Sequence, residues 1–283
     1  MPELPEVETT CRGIEPHIKG AQVKEVIIRQ AKLRWLIPLQ IVDILVGQTL
    51  LDVRRRSKYI LLKFAAGELI IHLGMSGSLR VLEGPQDPLK HDHFELIFDS
   101  GTVLRLTDPR RFGAVLWQEG LQLHKLLEKL GPEPLTDAFN VQTFIKAAGS
   151  RKIAVKQFIM DAKVVVGVGN IYAAEALFAA AIHPTTPVNE ISKAKFSKLV
   201  VAIKYILAVA IERGGTTLKD FVGSDGKPGY FAQELQVYGR KGQSCNVCQK
   251  QLTEIRLAQR SSVFCPHCQR LPKNSKSKVY KPL

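Results

Sequence analysis

Two Cys-x-x-Cys pairs, Cys245 with Cys248 and Cys265 with Cys268, stand sixteen residues apart and constrain the fold more than any other feature of this chain. The spacing lets the two thiolates of each pair reach one ion, and four thiolates close a tetrahedral shell with no position left for water or substrate. The expected group is therefore one structural Zn2+ ion. A redox dithiol is the alternative, but neither pair sits in the βαβ context typical of one. Between the pairs, LTEIRLAQRSSVF alternates enough to form a hairpin and carries Arg256 and Arg260. Cys11 stands alone and reads as a packing residue.

Charge narrows the partner. Forty Lys and Arg against 26 Asp and Glu leave +14 over 283 residues, the electrostatic footprint of a protein that meets many phosphates. Eleven basic residues face only Glu234 and Glu254 between Gly226 and Leu283, so that stretch holds nine of the fourteen net charges. At 45% hydrophobic residues the chain can bury real cores, and its length favours two domains over one. Glu3, Glu6 and Glu8 occupy the place where a secretory signal would be basic and then apolar, so a cytoplasmic location is expected. The longest apolar run, Leu199 to Ile211, is interrupted by Lys204 and Tyr205 and falls short of the roughly 18 to 20 residues a bilayer span needs. It reads as a core helix, with no membrane partner.

Periodicity changes along the chain. A helix is expected from Pro5 to about Lys19, and short strands follow from Val23 to about Trp117: VKEVIIRQ, ILLKF, ELIIHLGM, FELIFD and TVLRLTD. GPEPLTDAFN has the proline and turn residues of a linker. Helical spacing then covers Val141–Ala148, Ile153–Asp161, Ile171–Ala181 and Lys193–Glu212, with Asn170 and Ser192 as expected caps. The fold class is thus α+β, a β-sandwich with a leading helix followed by a helical domain and a zinc hairpin. Five glycines and a proline crowd Gly214 to Phe231, a long loop, and LPKNSKSKVYKPL reads as a flexible basic tail.

The opening MPELPEVE reads in two ways. Prolines and acids suit a first helical turn. Once Met1 is removed, however, Pro2 becomes a secondary amine able to attack a sugar C1′ and form an iminium. Such an amine titrates near ~8, against ~10.4 for lysine, so part of it is unprotonated at neutral pH.

PELPEVE, RRRSKYILL, HLGMSG, KHDHFEL, TDPRRFG, VVGVGNIYAAEALF, IHP and the terminal Cys pairs occur in order from Pro2 to about Arg270, and together they closely resemble the bacterial formamidopyrimidine-DNA glycosylases. The resemblance implies a catalytic β-sandwich domain over 1–131, a helix-two-turn-helix DNA-binding domain over 132–230 with a lesion-capping loop near 214–231, a zinc finger over 237–271, and a tail over 272–283. It implies removal of oxidised purines from double-stranded DNA and β,δ-elimination at the resulting site, by a monomer in a bacterial cytoplasm.

Residue by residue, the resemblance makes Pro2 the nucleophile, Glu3 the general acid, Glu6 part of the same pocket, Lys58 a proton donor in β-elimination and Arg260 the δ-elimination arginine. It makes Met75 and Phe112 the pair that fills the gap left by a flipped nucleotide, and Arg110 the arginine that meets the orphaned base. His91, Lys152, Lys156 and Asn170 become DNA contacts, the last on phosphate at a helix start. From local sequence alone, Lys58 is a basic strand end, Met75 a core residue, Phe112 a strand residue and Arg260 a phosphate contact. Ser57 stands where the family often carries glycine, and no family motif covers the tail. Three rivals remain at this point: an endonuclease VIII-like enzyme for oxidised pyrimidines, a zinc-finger DNA binder without catalysis, and an RNA-binding protein that uses the same basic surface.

Overall fold

In the first helix, α1 (Leu4–Ile18), apolar residues recur at Leu4, Val7, Cys11, Ile14 and Ile18, alternating steps of three and four that form one stripe, and all five are buried. Glu3 stands at the N-cap, and Glu6 three residues on accepts its backbone N–H at 2.8 Å. The computed structural model describes residues 1–120, 122–215, 234–272 and 275. These form two compact units: Met1–Lys129 with the described residues of Ile211–Ala232, and Leu130–Ala210 with those of Gln233–Leu283.

The first unit is a β-sandwich. One antiparallel sheet has the order β1 (Val23–Ile28), β6 (Asp92–Phe98), β7 (Val103–Thr107), β5 (Ser78–Leu82). The other runs β2 (Asp52–Arg56), β3 (Tyr59–Lys63), β4 (Gly67–His72), β8 (Ala114–Glu119). Period-two alternation sends Ile60, Leu62, Leu69 and Ile71 from one sheet, and Phe94, Leu96, Phe98, Leu104 and Leu106 from the other, into a core shared with the α1 stripe. Two short helices, α2 (Ile41–Leu45) and α3 (Lys125–Glu128), complete this unit.

One buried ionic cluster interrupts the apolar pattern. Arg105 on β7 pairs with Glu95 and, at 3.2 Å, with Asp92, both on β6. Arg29 closes on Glu95 at 2.9 Å, and Arg105 also donates to the carbonyls of Gln86 and Asp87. The cluster therefore ties the segment leading to His91 onto the sheet.

The second unit is helical: α4 (Val141–Ala148), α5 (Val155–Ile159), α6 (Asn170–Ala179) and α7 (Lys193–Glu212). Phe144 joins three of these elements, with its ring 5.1 Å from Phe158 and 5.4 Å from Phe196, and Phe139 packs on its other side at 5.2 Å. Ser192 caps α7 as expected, accepting from Lys195 N–H at 3.3 Å. Asn170 does not cap α6. Gly169 is the N-cap and Asn170 the first helical residue, because an extended backbone at φ −114° falls on the glycine. A hairpin of β9 (Thr253–Leu257) and β10 (Arg260–Phe264) ends the unit.

No helix among the described residues is long and apolar enough to cross a membrane. Beyond Gly215, the expected capping loop lies outside the described residues, as does most of the tail. Arg105→Leu leaves two buried carboxylates short of their shared partner and is expected to destabilise the sandwich by about 3 to 5 kcal/mol. Trp35 and Trp117 both belong to this unit, so urea unfolding followed by tryptophan fluorescence measures it. A shift under about 1 kcal/mol would show that the cluster is dispensable.

Candidate active site and nucleic-acid surface

Pro2, Glu3 and Glu6 are all buried at the start of α1. The helix stripe fixes this seat, and the N-terminal end of a helix dipole lies directly beside it. Lys58 is partly exposed in the turn Ser57–Lys58 that joins β2 to β3. Ser57 holds a left-handed backbone, φ 57°, and its carbonyl accepts from Arg55 Nη1 at 2.9 Å. Arg55 in turn donates to Glu8 of α1 at 2.9 Å, so helix and lysine-bearing turn are tied together through one arginine.

His72, at the end of β4, belongs with this group although the sequence did not single it out. Burial, and then the charges of Lys58 and Arg34, push its imidazole down to about 4. The neutral ring packs 5.0 Å from Tyr59, and Nδ1 accepts the Gly74 N–H at 3.0 Å.

Met75 and Phe112 are exposed on neighbouring turns of the same unit, 39% and 45% accessible. The turns touch through Gly74, whose φ is 65° and where a Cβ would lie 2.4 Å from the Phe112 carbonyl carbon. Only glycine fits there. Arg110 is exposed, with its guanidinium carbon 5.0 Å from the Phe112 ring centroid. His91 is partly exposed, and its carbonyl accepts the Asp108 N–H at 3.0 Å.

In the second unit, Lys152 is exposed and Asn170 opens α6, with its Oδ1 buried and meeting no donor among the described residues. Lys156 is only 2% exposed, and its Nζ donates to Ser262 Oγ at 2.8 Å and the Ser261 carbonyl at 3.0 Å. Lys156 and Arg260, far apart in sequence, line one cavity of about 190 Å3 with Gln157, Met160, Leu257 and Ala258. The hairpin turn beside it, Ala258–Gln259, is left-handed at both residues, φ 47° and 61°, with no glycine to relieve it.

The sulfur atoms of Cys245, Cys248, Cys265 and Cys268 all lie within 4.8 Å of one another. A tetrahedral ion with Zn–S bonds of about 2.3 Å needs sulfurs roughly 3.8 Å apart, so the set fits one structural zinc. Glu175, also missed in the sequence, anchors this module: its buried carboxylate accepts the backbone N–H groups of Gln236, Val237 and Tyr238 at 2.8 to 3.0 Å. An acid in the otherwise apolar NIYAAEALF was the available signal.

Chelating the metal is expected to accelerate amide exchange across β9, β10 and Gln236–Tyr238; unchanged protection after metal loss would rule out a structural ion. The folded pKa of His72 lies below its ordinary 6.5, so its contribution is fully present above that pH and is lost as pH falls toward 4. By pH 5 the loss reaches about 2 kcal/mol. His72→Asn, which keeps an acceptor but does not titrate, should flatten the tryptophan-monitored stability profile between pH 7.5 and 5. An unchanged slope would assign the titration elsewhere.

Three family models match in succession: the formamidopyrimidine-DNA glycosylase N-terminal domain over residues 1–115, the formamidopyrimidine-DNA glycosylase H2TH domain over 130–222, and the zinc finger found in FPG and IleRS over 239–271. The formamidopyrimidine-DNA glycosylase of Pseudomonas aeruginosa (strain LESB58) is 59% identical over 270 residues, covering 95% of this chain and all of that one. The protein of the same name from Saccharophagus degradans is 56% identical over 271 residues, covering 95% and 100%. Among solved structures, the MutM (Fpg) protein of Thermus thermophilus superposes with a TM-score of 0.85 at 34% identity, covering 96% of this chain and 100% of that one. Lactococcus lactis Fpg in complex with DNA containing an abasic site gives 0.87 at 32% identity, covering 95% and 99%. With its sandwich, helical unit and four-cysteine hairpin all matched, this chain belongs to the formamidopyrimidine-DNA glycosylase family of DNA-repair enzymes.

Proposed function

We propose that this protein excises oxidised purines, 8-oxoguanine and formamidopyrimidines, from double-stranded DNA and then cleaves the strand by β,δ-elimination. The observation that carries the proposal is the buried Pro2–Glu3 pair at the start of α1, in a chain so similar to glycosylases of this name. Lactococcus lactis Fpg has been solved with Fapy-dG and with abasic DNA, which supports the same substrates here.

With Met1 removed, the Pro2 amine attacks C1′ as the damaged base departs with the glycosidic electron pair. Glu3 supplies the proton needed to open the sugar ring, and Glu6 holds the Glu3 backbone. The resulting iminium withdraws electrons from the sugar, so that loss of the C2′ proton expels the 3′ phosphate and loss of the C4′ proton, through the conjugated system so formed, expels the 5′ phosphate. Lys58 assists β-elimination and Arg260 δ-elimination. Met75 and Phe112 fill the vacated space in the duplex and Arg110 meets the unpaired base, while His91, Lys152 and Asn170 hold the DNA backbone; Lys156, expected among these contacts, is buried and instead holds the hairpin strand through Ser261 and Ser262. Zinc has no step of its own; it orders the hairpin that carries Arg260. The protein acts as a monomer in the bacterial cytoplasm.

Borohydride reduction on 8-oxoguanine duplex is expected to trap a covalent adduct that peptide mapping places on Pro2, in protein whose mass proves Met1 removal. No adduct from such protein would leave only a DNA-binding role. Faster cleavage of thymine glycol than of 8-oxoguanine would favour the oxidised-pyrimidine enzyme instead. Lys58→Ala should retain adduct formation while strand scission slows by about 100-fold.

A further inference from the structure

Asp108 is completely buried, and its carboxylate serves both turns that carry the exposed apolar residues. Oδ1 accepts from Ser76 Oγ at 3.1 Å, one residue beyond Met75, and Oδ2 accepts from the Gly113 N–H at 2.7 Å, one residue beyond Phe112. Its backbone extends the same connection to a third segment. Asp108 N–H donates to the His91 carbonyl at 3.0 Å, and the Asp108 carbonyl meets His93 Nε2, also at 3.0 Å. The Asp108 carbonyl also accepts from Arg111 N–H at 3.2 Å, in the turn that leaves Arg110 over Phe112.

We infer that Asp108 is the positioning residue of the duplex wedge, setting the spacing between Met75 and Phe112 so that both enter the gap when a nucleotide leaves the stack. This rests on the wedge reading given above. The physical case is that two exposed side chains on separate turns can act as one wedge only if their backbones are fixed to each other. Gly74 supplies contact between the turns, which excludes closer approach, and the carboxylate supplies attraction, which excludes separation. A carboxylate is suited to this because both of its oxygens accept, so both can be committed at once. An asparagine could keep both contacts, accepting from the Gly113 N–H and donating to the Ser76 hydroxyl, which accepts as well as donates; an alanine releases both turns. Displacement of a catalytic arrangement by about 1 Å is enough to slow a reaction on the order of 100-fold.

The test compares two substrates. Duplex 8-oxoguanine needs the wedge, whereas a single-stranded abasic oligonucleotide has no stack to fill and needs only the amine chemistry. Asp108→Ala should lower single-turnover excision from duplex by about 10- to 100-fold and reduce the fluorescence rise of a 2-aminopurine placed beside the lesion. Borohydride trapping on the single strand should stay within twofold of the parent protein. Equal losses on both substrates, or no loss on either, would overturn the proposal. If Asp108→Ala does not fold by tryptophan fluorescence, Ser76→Ala decides the matter. It releases only the Met75 turn and should selectively lower duplex excision several-fold; an unchanged ratio of the two activities refutes the assignment. Parent protein lacking Met1 that fails to trap on either substrate points instead to failure of the enzymatic reading itself.

Discussion

The buried stripe of α1 is the constraint on which the chemistry of the first unit depends. A chain terminus is ordinarily the least ordered part of a protein. Here Val7, Cys11, Ile14 and Ile18 hold the helix against the sandwich, Leu4 is buried at its start, and the ordering of Pro2 and Glu3 follows from that packing. The same helix reaches Arg55 through Glu8, and Arg55 reaches the Ser57–Lys58 turn. Pro2 and Lys58 are thus both tied to one helix, with the core supplying the rigidity.

The second unit solves a different problem. A hairpin as short as β9–β10 buries too little apolar surface to fold unaided, and the four thiolates offer a metal in place of a core. Glu175 then couples the module to α6 through three amides, and Gln269 adds a bond from its side-chain amide to the Ile182 carbonyl at 2.9 Å. Lys156 is drawn into the same junction by Ser261 and Ser262, which explains how a lysine can be almost wholly inaccessible.

Much of this was legible in the sequence, for stateable reasons. Strands with apolar alternation, such as FELIFD, and helices with clear ends, such as Lys193–Glu212, lie where the periodicity put them. β2 escaped notice because its sequence is DVRRR; Arg54 and Arg55 pair with Glu68 and Glu8, which no local pattern reveals. α2 and α3 span five and four residues, too few for a helical period to register. The zinc ligands were readable because their chemistry is local spacing. Asp108 and Glu175 were not singled out, since Ser76 and Gln236–Tyr238 reach them only through the fold, and nor was His72, whose lowered pKa comes from burial in the folded unit.

Gly215 carries one more consequence. It belongs to the same unit as Met1, and at φ 80° it lies so close to Glu6 that a Cβ there would stand 3.1 Å from the carboxylate. The surroundings of the chain's first residues are therefore finished by a residue made much later, after the whole stretch Leu130–Ala210 has been added. At about 5 to 20 residues per second, a ribosome spends roughly 4 to 17 seconds between the end of the sandwich and this glycine. During that interval the Glu6 carboxylate lacks the neighbour that later lies against it. Order of synthesis thus leaves the start of α1 open until the last part of its unit is made.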